Sequence, residues 1–212
     1  TQNVLQFKEK GDVNASLGVD ESASNISLVY SITDHVAVIS DFKSFENEAW
    51  FWDNEAILYK RDDQRKGYII PAINIGYGVG KIKSGVDAYT LDVSRQFVQP
   101  SIGYKNNILE VALSARFSRV NYVLHEGPDY NHYSSNSSPE EVFELYDVGK
   151  RPFYFAESAF MIGLGYKAVR LRWQKISART YGGNIKYIDN TAVLSLNVTF
   201  NILKKKSVTD LR

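Results

Sequence analysis

The chain carries three histidines, His35, His125 and His132. His125 and His132 lie with Glu126, Asp129 and Ser134 in one irregular stretch, HEGPDYNHYSSNSSPEEVFELYDVGK. Imidazoles beside carboxylates are the groups that hold divalent metals or relay protons during hydrolysis. Both tasks need a fixed geometry, of the kind that ligands at i and i+4 on a helix provide. The spacing here follows no such rule, so no metal, no cofactor and no catalytic unit is expected. His125, Asp129, His132, Glu140 and Glu141 are read instead as contact residues of an exposed loop. Within it, Ser137 or Ser138 followed by Pro139 and the two glutamates has the make-up of a short helix start, with a cap, a proline in the first turn and acids near the positive end. His35 falls in a tight turn with Thr33 and Asp34 and is expected to be solvated.

A second set of charges has regular surroundings. Glu110 and Arg116 alternate with Leu109, Val111, Leu113, Ala115 and Phe117; Arg172 lies between Leu171 and Trp173; Glu157 precedes the alternating run Ser158, Phe160, Ile162 and Leu164. On strands this parity gathers the charges on one face, opposite the apolar one. Arg116 follows Asn107 by nine residues and Glu157 precedes Lys167 by ten, which places them at similar height above two short turns. The two are predicted to pair, with Arg95 close by, because a buried charge without a partner costs several kcal/mol. The predicted inner charge cluster is therefore Arg95, Glu110, Arg116, Glu157 and Arg172.

The elements that position these residues are strands. Thr191 to Leu203 reads TAVLSLNVTFNIL, with apolar residues at every even position and mostly polar ones between. This two-residue period is long enough to cross a hydrocarbon layer as a tilted strand, and Lys204 to Lys206 end it. The same alternation recurs from Asp12, from Asn25, from Ile69, from Phe97, from Leu109, from Glu157 and from Val169, and more weakly over 36–45 and 50–60. Three glycines on one face of the Ile69 run, Gly76, Gly78 and Gly80, predict a crowded interior. Pro71 lacks a ladder donor and is expected at a bulge or near a strand end.

Ten strands result, with eight as the smaller possibility. Turns at 33–35, 61–66, 105–107 and 167–168 are short, whereas the connections near 46 and at 81–90, 123–150 and 179–189 are longer. Short and long connections alternate in outer-membrane barrels. Lipid leaves no backbone donor unpaired, so the first and last strands must close on each other and the apolar face must point outward. The expected fold is all-β, a transmembrane antiparallel up-and-down barrel over 12–203. A lead-in over 1–11 and a tail over 204–212 flank it, and both termini are periplasmic. A soluble β-sandwich, the alternative, would turn the same apolar face toward a core.

Composition agrees. There are 14 Tyr, 11 Phe and 3 Trp but one Met, and amphipathic rings favour membrane interfaces. A net charge of +1 gives no basic field for nucleic acid. The chain has no cysteine, which removes disulfides and thiolate sites.

The succession VNASLGVDESASNISLVYSITDHVAVISDF, YIIPAINIGYGVGK, RQFVQPSIGYKNNILEVALSARFSRVNY and LSLNVTFNIL resembles small outer-membrane β-barrel proteins of Bacteroidota, over roughly Lys10 to Leu203. The resemblance implies an uncharacterised barrel, in many relatives a lipoprotein anchored through an N-terminal Cys, which this chain lacks. The reading that follows is a non-enzymatic structural or accessory subunit of an envelope complex. Its partners are outer-membrane lipid and other envelope proteins that meet the 123–150 loop or the wall. A small solute channel and a rim-located enzyme are the alternatives.

Overall fold

The computed structural model describes residues 10–46, 49–60, 62–64, 67–83, 90–126, 151–166, 168–181 and 188–201. The lead-in before Lys10 and the tail beyond Asn201 fall outside them, as does the 127–150 segment with its expected helical turn. The strands are β1 (Asp12–Val19), β2 (Ala23–Ser31), β3 (Val36–Phe45), β4 (Trp50–Tyr59), β5 (Asp62–Gln64), β6 (Gly67–Lys83), β7 (Thr90–Lys105), β8 (Leu109–Glu126), β9 (Phe153–Tyr166), β10 (Val169–Tyr181) and β11 (Ile188–Asn201).

Each strand pairs antiparallel with its neighbour, and the sheet closes. β11 returns to β1 with Leu17 opposite Leu196, and β4 pairs with β6. β5 continues β4 in one register: Tyr59 faces Ala72 and Asp62 faces Ile69. The eleven strands thus make a barrel of ten staves. The break in that stave has a cause at Pro71, which lies opposite it; Pro71 still accepts a hydrogen bond from the Lys60 N–H through its carbonyl, at 3.1 Å. At β7, the ladder to β8 passes from Val98–Phe117 to Ser101–Ser114 across Pro100.

The turns at the end bearing the termini are built by side chains that bond to backbone. Asn106 Oδ1 accepts from the N–H groups of Ile108 and Leu109, at 2.8 and 2.7 Å. Asp34 Oδ1 accepts the Lys10 N–H at 2.8 Å, tying the lead-in to the β2–β3 turn. Gly11 enters β1 with φ of 83°, a value open to glycine, and donates to Ser31 O at 2.8 Å.

The barrel is turned inside out relative to a soluble protein. Leu17, Ile75, Leu113 and Leu164 are 56–59% exposed, and the same outward parity holds Ile26, Leu28, Ile102, Leu171, Leu194 and Leu196. The buried positions between them include Asn14, Ser16, Asn25, Ser27, Asn74, Gln99, Ser114 and Asn197. Soluble monomers do not expose a continuous apolar belt of this extent, and a bilayer is the solvent in which it is stable.

Several strands outrun their sequence signature. β8 continues to Glu126, into the stretch expected to loop from Val123; β7 begins at Thr90, and β10 reaches Tyr181. The charged connection expected over 61–66 contains the paired β5. The reason is that alternation marks only the lipid-facing part. Staves of 16 to 18 residues such as β6, β7 and β8 exceed the roughly 9–11 that cross hydrocarbon, and their outward positions turn polar at Gln96, Arg119 and Asn121.

Candidate functional site

The lumen is where ionisable groups converge. Asp53 and Glu55 enter it from β4 because they alternate with outward Trp52, Asn54 and Ala56. Arg95 of β7 makes a two-point contact with Asp53: its Nε donates to Oδ1 at 2.7 Å and its Nη2 to Oδ2. The pair spans an intervening strand, since Asp53 and Arg95 both face Gly78 of β6. A Cβ at Gly78 would fall onto Asp53 Oδ1, so the absent side chain is what lets the two meet.

Arg116 reaches farther. Its Nη2 donates to Glu55 Oε1 at 3.0 Å, its Nε to Gln99 Oε1 at 2.8 Å, and its Nη1 lies 3.7 Å from Asp53 Oδ2. The other oxygen of Glu55 accepts from Asn74 Nδ2 at 2.7 Å. The Arg116 guanidinium lies 4.0 Å from the centroid of the Phe97 ring, which lies over Gly76. Side chains of β4, β6, β7 and β8 thereby form one knot across the lumen, and Arg116 is 1% exposed. Delocalised charge, weak hydration and five fixed donors make arginine suited to such a dry, multi-partner position.

A second group occupies the termini end on the far wall. Arg172 Nε donates to Glu110 Oε2 at 3.3 Å and its Nη1 to Asn197 Oδ1, while Asn197 Nδ2 donates to Ser195 Oγ at 3.2 Å. Glu110 and Arg172 both face Gly163, repeating the device of Gly78. Arg170 caps the turn below, donating to the Asn106 and Ile108 carbonyls at 2.6 and 3.3 Å. Opposite, the same end is filled by Val29, Ala37, Ile39, Ile57, Tyr59 and Ile70, with Tyr59 Oη 2.8 Å from Ser31 Oγ.

The structure brings Glu110 together with Arg172, and places Arg116 directly opposite Glu157 in the β8–β9 register. Arg95 and Arg116 meet through Asp53, and the Arg116 guanidinium bonds chiefly across the lumen to β4. Asp53, Glu55, Asn74 and Gln99 are the partners that sequence reasoning missed. For Asp53 and Glu55 the signal was parity in β4, where Trp50, Trp52 and the charged residues blur the apolar rhythm. His125 lies on β8, whose last side chains are outside the described set, as are Asp129, His132, Glu140 and Glu141 altogether. Among the described residues no group of His, Asp or Glu has a metal-holding arrangement.

No family model and no curated protein matches the chain. Solved structures similar to it include the N-terminal β-barrel domain of Pseudomonas aeruginosa OprF, at 10% identity over 91% of this chain and 100% of that one, with a TM-score of 0.36. The outer-membrane enzyme PagL is 12% identical over 90% and 99%, TM-score 0.36. The KdgM porin, solved with disordered oligogalacturonate, is 7% identical over 90% and 99%, TM-score 0.39. Likeness this slight leaves function to be argued from the chain's own residues.

Proposed function

We propose that the chain is a non-enzymatic barrel of the bacterial outer membrane with a sealed lumen, acting as a structural or accessory subunit of an envelope complex. The observation that carries this reading is the knot of Asp53, Glu55, Arg95 and Arg116, which spans the lumen with buried, mutually bonded charges. A ten-stave barrel encloses little more than the volume of its inward side chains. Apolar groups at the termini end and Leu91, Val93 and Val120 toward the loop end add further filling. A barrel filled in this way offers partners its outer wall and its loops, including the 123–150 segment.

The outer-membrane assignment is supported by an apolar belt around a polar interior, the arrangement of outer-membrane-type barrels. Periplasmic termini are supported by the short turns on their side, since such barrels keep short connections toward the periplasm.

Planar-bilayer recording tests the sealed lumen. The wild type is expected to give a flat trace; steady single-channel steps that Glu157→Ala abolishes would mark a charged constriction in a solute pore and sink the proposal. Mild solubilisation followed by co-purification tests the accessory role, and a protein that always migrates alone counts against it.

A further inference from the structure

The outer wall from β6 to β9 carries a trough of about 770 Å3. Strand register explains its form. Phe97 and Ser118 stand in one cross-strand row and bury their side chains in the lumen, so toward lipid they present only backbone, which makes the floor. One wall of the trough is the outward apolar row Ile75, Val98 and Phe117, which ends at the small Ala156. The other wall is polar and aromatic, with Arg119 beside Tyr154.

The charges at this place are one-sided. Arg119 faces outward and is exposed, and so is Arg179 of β10, which the register sets against Ala156. The two arginines thus flank β9 at Tyr154 and Ala156, the second the smallest of its outward side chains. Among the described residues neither has an ion-pair partner. The outward carboxylate described on these staves, Asp92, lies 3.7 Å from Lys81 and is engaged there. At the edge of the hydrocarbon a hydrated guanidinium costs little, and two that have no partner within the protein are open to an anion; phosphate is the anion their forked donors match.

We propose that the trough is a docking site for a phosphate-bearing acyl lipid of the leaflet nearer the long connections. Its chain lies against Ile75, Val98 and Phe117, and its phosphate sits between Arg119 and Arg179. The apolar row alone would accept any acyl chain; the arginine pair selects the anionic headgroup.

Native mass spectrometry of the full chain, released from micelles containing equal dioleoyl phosphatidylglycerol and dioleoyl phosphatidylcholine, tests this. The wild type is expected to retain the phosphatidylglycerol about tenfold more, the ratio that one strong charge-assisted contact supports. Arg119→Gln and Arg179→Gln each lower the ratio, and the double variant brings it to about one. Lys60→Gln, an equal loss of charge at the opposite end, leaves it unchanged. Heat-modified gel mobility verifies that every variant is folded, which outward-facing substitutions should be. Equal retention by the wild type, or a preference that survives in the folded double variant, overturns the proposal. So does displacement of the lipid by inorganic phosphate at matching concentration, because the acyl contacts would then contribute nothing. The measurement does not depend on conduction, so its failure would leave the sealed lumen untouched.

Discussion

The two ion-pair groups in the lumen share a construction and differ in completeness. In both, an arginine and a carboxylate on alternate staves meet over a glycine, Gly78 for Asp53–Arg95 and Gly163 for Glu110–Arg172. In the central knot, Glu55 has both oxygens bonded and Arg116 engages three side chains. In the termini-end group, Glu110 Oε1, Arg172 Nη2 and Arg170 Nε have no hydrogen-bond partner among the described residues, so both sides of its ion pair are incomplete; at the central knot such atoms are the neutral Asn74 Oδ1 and, opposite Asp53 on β3, Asp41 Oδ1. A buried charge is tolerable when its whole valence is matched, and its removal then strands every partner. The central knot should therefore be the more sensitive of the two.

The sharpest way to break this comparison is Arg116→Met, which keeps the bulk and removes the donor that Glu55 Oε1 and Gln99 Oε1 share. It is expected to lower stability by about 3–5 kcal/mol, read as the guanidinium midpoint of the protein refolded in lipid vesicles. Gly78→Ala comes next, at about 2–3 kcal/mol, because the new methyl displaces Asp53 from Arg95. The matched Gly163→Ala should be milder, since its Cβ would sit 3.1 Å from Arg172 Cγ and 3.3 Å from Glu110 Oε2, separations that a shift of a few tenths of an ångström relieves.

Arg172→Met should cost about 1–2 kcal/mol, less than Arg116→Met, because Glu110 already lacks a partner for one oxygen. Equal losses at 116 and 172 would remove the distinction drawn between the groups.

The smallest effect belongs to a pair at the mouth of the barrel, Asp20–Lys43 beside the β1–β2 turn, with Nζ 2.9 Å from Oδ2. Burial pushes the Asp20 carboxyl up, but the Lys43 ammonium and the N–H groups of Ser22 and Ala23 outweigh it and hold the group below its ordinary 3.8. A carboxyl lowered on folding stabilises the protein above its unfolded pKa, and that contribution disappears as pH falls through the folded one. Lys43→Met should thus cost about 0.5 kcal/mol at neutral pH. The gap between wild type and variant should close below pH 3.8; one that persists there would show that packing, not charge, holds the turn.

Much of this was legible in the chain. Two-residue alternation told outward Leu194, Leu196 and Val198 from inward Val193 and Asn197, and it placed Glu110, Arg116 and Arg172 in the lumen. Gly76 and Gly78 announced close approach, and Pro71 announced an interrupted ladder. The upper reaches of β7, β8 and β10 were not legible, because beyond the lipid belt nothing demands an apolar outward face. Nor was the role of Asp53 and Glu55 as partners of Arg95 and Arg116.

By itself the sequence determined parity, turn chemistry and an even set of staves, all of which follow from neighbours a few residues apart and from a solvent that tolerates no open edge. Tertiary structure alone decided which charges meet. Glu55 and Arg116 are 61 residues apart, and only the closed register that sets β4 beside β6 and β6 beside β7 brings that carboxylate and that guanidinium within reach across the lumen.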